Sequence, residues 1–222
     1  MIKLEKTSKP NVLTTNAEEW TKTVLEKIAV GEKLTSTDDA RYRHPEIKAA
    51  LVAETHGKCA YCESKLKHIH HGDVEHITPK SLDPALRYDW NNLTLACEVC
   101  NQNKSNRDPK IEHILDPYLT DPASHLTFVG SFVFSLGTND GKNTEVLLDL
   151  NRVALLERRK SRLENVMAVY DTILRADLPM QTRRIIYQNL VINDAGMDSE
   201  YAGMLRCVVQ QMKEKVPSEL YQ

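Results

Sequence analysis

The chain has no excess of positive charge. Its 29 Lys and Arg stand against 31 Asp and Glu, a formal net charge of -2 over 222 residues. No global basic field therefore draws it onto nucleic acid, and any affinity for a polyanion has to come from a local patch or a partner. The opening run Met1-Ile2-Lys3-Leu4-Glu5-Lys6 lacks the apolar core of a secretion signal. No stretch approaches the roughly 18 apolar residues of a membrane span, so a cytoplasmic location without membrane contact is expected. Internal repeats and low-complexity tracts are missing as well. The length suits one domain, or two closely joined ones of roughly 100–200 residues each.

Cysteine is scarce, with five in all, yet four of them fall into two pairs, Cys59-Ala60-Tyr61-Cys62 and Cys97-Glu98-Val99-Cys100. In a reducing compartment such pairs point to metal ligands rather than disulfides. Four thiolates suit one tetrahedral zinc with no open position, which stabilises folding and does no chemistry. The spacer is longer than in a simple zinc ribbon, so a substructure is inserted between the knuckles. Cys207, among Met204, Leu205, Val208 and Val209, reads as a small core residue.

Asn16 is read as the cap of a first helix whose apolar stripe is Trp20, Val24, Leu25 and Ile28, ending near Gly31. The stretch from Glu32 to Arg43 is a charged loop. Pro45 suits the first position of a second helix that carries Ile47, Ala50, Leu51 and Ala53 and stops at Gly57. Between the knuckles, Val74 and Ile77, then Leu93 and Leu95, predict two short strands joined by a long loop, and the second knuckle opens a helix bearing Asn101 and Lys104 that Asp108-Pro109 stops. Thr127 to Phe134 is β-prone and Asn139-Asp140-Gly141 is a turn signal, together predicting a hairpin. Helices follow over about 151–176, 180–191 and 199–215, with Pro179 at a break.

The inserted substructure carries Val74-Glu75-His76-Ile77-Thr78-Pro79-Lys80, then Asn92-Leu93, then Cys100-Asn101. Phosphodiester hydrolysis needs an activated water, stabilisation of charge on phosphorus and help for the departing oxygen. His76 has the right ordinary pKa, about 6.5, for a general base. Glu75 and Asn101 are hard oxygen ligands suited to one magnesium or manganese ion, and Asp73, two residues earlier on the same strand face, is the alternative ligand. Lys80, Lys104 and Arg107 are candidate phosphate contacts, or merely solvated charge. His68, His70 and His71 precede Gly72 and read as polar loop positions.

With both CxxC pairs in order around them, these residues resemble the HNH endonucleases, whose core is a ββα-metal or His-Me finger. Glu75-His76 matches the acidic-His pair, Asn92 the middle asparagine and Asn101 the final ligand. The resemblance implies that Asn92 braces the loop and helps orient His76, with Asn91 as the alternative. Flanking runs, Arg43 to Lys48 and Thr144 to Arg152 followed by Leu155 to Arg159, are similar to HNH proteins of Septu-type anti-phage systems, including retron-linked ones. That likeness implies a nucleic-acid substrate, DNA or RNA, an SMC- or ABC-like ATPase partner and, in retron-linked members, a reverse transcriptase with its nucleic acid. A basic face of Arg158, Arg159, Arg162, Arg183 and Arg184 would serve the substrate, or is a solvated helix surface or a set of salt bridges within the complex.

The expected fold is α+β: an N-terminal helical segment over 1–57, a zinc-bound nuclease core over 58–110, and a C-terminal region over 111–222, a short hairpin then helices, as partner or substrate interface. Two other readings share the residues: a stand-alone HNH restriction-type enzyme, and a non-catalytic zinc-stabilised module that binds nucleic acid or protein.

Overall fold

A computed structural model describes residues 1–66 and 72–221; Lys67, His68, Ile69, His70, His71 and Gln222 lie outside the described residues. Helix α1 (Asn11–Ala29) begins earlier than expected. Pro10, with φ of -57°, takes the N-cap position, and Asn16 bonds back to the Val12 carbonyl within the helix. Its buried face is Leu13, Ala17 and Val24, while Leu25 and Ile28 are exposed, so the predicted apolar stripe is only partly the packed one. The Trp20 ring meets Tyr88 edge-on at 5.4 Å, which seats α1 on the turn Pro84–Tyr88.

The expected charged loop contains a short helix, α2 (Ser36–Ala40). Thr35 accepts from the Asp38 amide and the Asp38 carboxylate accepts from the Thr35 amide, a reciprocal cap that satisfies two otherwise unpaired donors. Tyr88 donates to the Asp38 carbonyl, fixing α2 to the same loop that α1 covers. After the turn Arg41–Arg43, helix α3 (Pro45–Glu54) starts at Pro45 as expected and buries Ile47, Leu51 and Glu54.

Strands β1 (Asp73–His76) and β2 (Leu93–Ala96) pair antiparallel, with His76 opposite Leu93 and Glu75 opposite Thr94. Helix α4 (Glu98–Lys104) follows at once, with Cys97 as its N-cap. The strand, loop, strand, helix order is the one read from the sequence. Ser105, with φ of 50°, ends α4, and Asp108-Pro109 opens a further turn, α5 (Pro109–Glu112), rather than stopping the previous helix.

Beyond it, β3 (Leu126–Val129) and β4 (Phe132–Ser135) form the expected hairpin, but its turn is Gly130-Ser131. Asn139-Asp140-Gly141 is instead the first turn of α6 (Asn139–Leu147), capped by Thr138, whose hydroxyl accepts from the Gly141 amide. A Cβ at Gly141 would stand 2.3 Å from the His125 carbonyl oxygen, so glycine is there for close approach. Helices α7 (Val153–Leu174), α8 (Met180–Asn189) and α9 (Ala202–Met212) complete the C-terminal region, with a π turn over Leu190–Asp194. One cluster of buried apolar side chains runs from Met1 and Leu13 through Leu93 and Leu95 to Leu205 and Leu220, so all three stretches contribute to a shared core. The fold is α+β.

Candidate functional site

The turn after α3 carries Cys59 and Cys62, and the end of β2 delivers Cys97 and Cys100 to meet them. The four sulfurs lie within 4.8 Å of one another, and Cys62 Sγ and Cys97 Sγ are 3.8 Å apart. A zinc ion with Zn–S bonds of about 2.3 Å has tetrahedral S···S edges of about 3.8 Å, so the donor set fits zinc in number, chemistry and size. Cys59, Cys62 and Cys100 are buried, as a closed structural site requires. Arg152, at the N-cap of α7, points its Nη2 at Cys100 Sγ (3.6 Å) and Cys97 Sγ (3.8 Å). Burial opposes that charge, but the thiolates of Cys100 and Cys62 outweigh it and raise the Arg152 pKa. A cation here offsets the negative charge that four thiolates leave around one divalent ion.

The second cluster lines a cleft of about 380 Å³ bordered by Asp73, Glu75, His76, Lys80 and Asn101 and, from the segment before them, by Tyr42, Arg43 and Lys48. His76 is 6% exposed, and its Nε2 lies 3.0 Å from the Arg87 main-chain oxygen. A carbonyl only accepts, so Nε2 carries the hydrogen and, in the neutral ring, the lone pair is on Nδ1. Burial lowers the His76 pKa to about 4, assisted by the charges of Lys80, Arg87 and Lys104 and opposed by the bond to Arg87. The Tyr42 ring packs edge-on against the imidazole at 4.5 Å.

Glu75 is buried, and Lys104 Nζ lies 2.8 Å from its Oε1. The same ammonium also donates to the His76 carbonyl at 2.9 Å. Burial raises the Glu75 pKa, with Lys104 pulling it back. Asn101 Nδ2 donates to Asp73 Oδ2 at 3.1 Å. Asn101 is the central residue of α4 and the N-cap is Cys97, so Asn101 does not cap the helix start.

Asn92 accepts from the Thr78 amide (2.7 Å) and donates to the carbonyls of Thr78 (2.9 Å) and Leu86 (3.2 Å). Those bonds tie down the loop after His76; the exposed Asn91 makes none of them.

Of the expected phosphate contacts, Lys80 reaches the cleft, where it pairs with Asp39 (2.7 Å). Lys104 does not: it is 0% exposed and committed to Glu75 and the His76 carbonyl, because a buried ammonium needs a counter-charge. Arg107 is exposed and lies outside the cleft lining. The expected basic face is also broken up. Arg159 is buried and donates to the Leu150 carbonyl, Arg183 is buried on the Ile173 carbonyl, Arg162 pairs with Asp194 and Arg184 reaches the Glu219 carbonyl. Of the five, Arg158 is the one left exposed. The predicted loop histidines His68, His70 and His71 fall outside the described residues.

Residues 59–107 match the model of the HNH endonuclease family. They form an HNH endonuclease domain. The chain is also similar to the Septu protein PtuB of Bacillus thuringiensis, 32% identical over 135 residues, 60% of this chain and 51% of that protein. A second relative, the Septu protein PtuB of Bacillus mycoides (strain KBAB4), is 28% identical over 196 residues, 72% of this chain and 66% of that protein. The chain thus spans about half of the first relative and 66% of the second.

The cleft gathers hard oxygen donors of the kind a divalent cation takes, the carboxylates of Asp73 and Glu75 and the amide oxygen of Asn101, with Glu75 Oε1 itself held on Lys104 at 2.8 Å. Several residues that shape the cleft come from outside the domain: Tyr42 and Arg43, Lys48 with its Nζ on the Gly72 carbonyl at 2.8 Å, and Asp39, which accepts from Lys80 and Arg87. Sequence reading missed Tyr42, Asp39 and Arg152 as site residues, because tertiary packing alone brings them there. Among the described residues no helix is long and apolar enough to cross a membrane.

Proposed function

We propose that this chain is a metal-dependent endonuclease acting in a Septu-type anti-phage defence complex, with His76 as general base. The observation that carries the reading is the bond from His76 Nε2 to the Arg87 carbonyl, inside an HNH match and beside the carboxylates of Asp73 and Glu75. It supports Nδ1 as the nitrogen that takes a proton from the attacking water, and it holds the ring still while it does so. Asn92 keeps the loop that supplies the Arg87 carbonyl in place. Glu75 and Asn101, with Asp73 as alternative or additional ligand, would hold a magnesium or manganese ion. When bound, that ion supplies charge stabilisation to the phosphate and the departing oxygen. The substrate is a nucleic acid, likeness to the Septu relatives supports a place in a defence complex, and the partner proposed there is an SMC- or ABC-like ATPase that delivers or licenses the substrate. With a net charge of -2 the chain alone has little affinity for bulk nucleic acid, which suits a partnered enzyme.

The test incubates wild-type and His76→Ala protein, alone and with the product of the neighbouring gene, with plasmid and total RNA in magnesium, manganese or EDTA. Metal-dependent cutting lost in the variant is the expected result. Equal cutting by both proteins would move the base elsewhere. Binding without cutting under every condition would instead favour a recognition module.

A further inference from the structure

One wall of the cleft lies ahead of the HNH domain, in the turn Arg41–Arg43 and the start of α3. Tyr42 is 4% exposed, so its ring is structural and cannot itself stack on a nucleotide base. Arg43 beside it is exposed. The Arg43 guanidinium sits 5.2 Å from the Tyr42 ring centroid, and its Nε donates to the Tyr42 hydroxyl at 3.1 Å.

The neighbouring cations are already engaged. Lys80 and Arg87 share Asp39, Arg41 pairs with Asp38, and Lys104 pairs with Glu75. Arg43 has no carboxylate partner among the described residues, and its two terminal nitrogens make no hydrogen bond there. Fixing a long exposed side chain loses rotamer entropy, and a cation–π contact at the surface returns only about 0.5–1 kcal/mol. The result is a fork held against Tyr42 with its paired donors open, on the cleft that His76 also lines. That fork matches two oxygens of a phosphate.

We propose that Arg43 is a substrate-binding residue that grips a backbone phosphate of the nucleic acid in the cleft, with Tyr42 as the post that aims it. This rests on the nuclease reading above. The segment preceding the HNH domain then supplies part of the substrate site, and a near-neutral chain gains the local cation it needs. The contact is to backbone, so it adds affinity and carries no sequence preference.

The test compares wild type, Arg43→Ala, Arg43→Lys and Tyr42→Phe in the full chain, with its partner if cutting needs one, on whichever of plasmid or RNA the wild type cuts. Affinity is read from a fluorescent oligonucleotide of the same polymer over a salt series, in a His76→Ala background. Arg43→Ala should raise KM by about tenfold with kcat changed by less than about threefold, and should reduce the slope of log affinity against log salt by about one. Arg43→Lys should recover part of the affinity and the slope, and Tyr42→Phe should fall between wild type and Arg43→Ala. Unchanged KM and salt slope in Arg43→Ala, while His76→Ala abolishes cutting, would overturn this inference and leave the nuclease reading intact. A wild type that neither binds nor cuts any polymer with its partner present would overturn both.

Discussion

His76 and Arg87 are joined by a hydrogen bond from imidazole Nε2–H to main-chain oxygen, at 3.0 Å. That bond decides which ring nitrogen is free, and the burial that comes with it lowers the His76 pKa to about 4.

The base should therefore stay unprotonated well below neutral pH. With the folded pKa near 4, roughly nine-tenths of the rings are neutral at pH 5, so cleavage should not lose its base between pH 7 and 5. A rate that falls with an apparent pKa of 6 to 7, and that is traced to His76 by NMR titration of the ring, would contradict this placement. Stability has the opposite sign to that of a histidine that gains an acidic partner. The unfolded ring takes up protons below about pH 6.5 and the folded one does not until about 4, so folding stability should decline across that window by up to about 3 kcal/mol. His76→Gln should flatten that part of the curve.

Removing Lys104 leaves the Glu75 carboxylate buried without its cation. Lys104→Met should destabilise the protein without added magnesium or manganese by about 3–5 kcal/mol, the usual cost of breaking one side of a buried pair. If Glu75 is a metal ligand, manganese should raise the melting temperature of this variant more than that of wild type, because the ion and the ammonium serve the same carboxylate. Equal shifts in the two proteins would take Glu75 out of the ligand set and favour Asp73 with Asn101.

Asp39 accepts from Arg87 Nη1 at 2.5 Å and Lys80 Nζ at 2.7 Å. Burial works against its charge, but Lys80 and Arg87 outweigh that and hold its carboxyl below the usual range. Asp39→Asn should loosen the segment that presents the Arg87 carbonyl to His76, lowering kcat on the order of tenfold with little change in KM. Cutting at the wild-type rate would mean that Asn92 and the Tyr88 contact hold the segment unaided.

Cys97→Ser should lower zinc stoichiometry and melting temperature together, since a structural zinc contributes directly to folding. Elemental analysis of the purified variant decides the point: an unchanged metal content would rule out this ligand set.

What could be read from the sequence is what local spacing encodes. The CxxC pairs, the Glu75-His76 step and the position of Asn101 after Cys100 fix their own neighbourhoods, and the strands around them follow from short apolar alternation. The reciprocal cap at Thr35 and Asp38 was also local, but it was masked by the charge of the surrounding run. Asn139-Asp140-Gly141 fits a turn or a helix start equally well, and the His125 carbonyl decides between them. Arg159 and Arg183 look like surface charge in a helix, yet both end on main-chain oxygens inside the protein. Tyr42, Asp39 and Arg152 carry no local signal at all, because each reaches its site across the fold.

Arg152 opens α7, yet its guanidinium serves sulfurs 52 and 55 residues back in the chain. The end of the HNH match at residue 107 is consequently no seam. A fragment excised there would inherit the cysteine cluster's negative charge without the cation that answers it. The helical remainder would carry that cation with nothing to face.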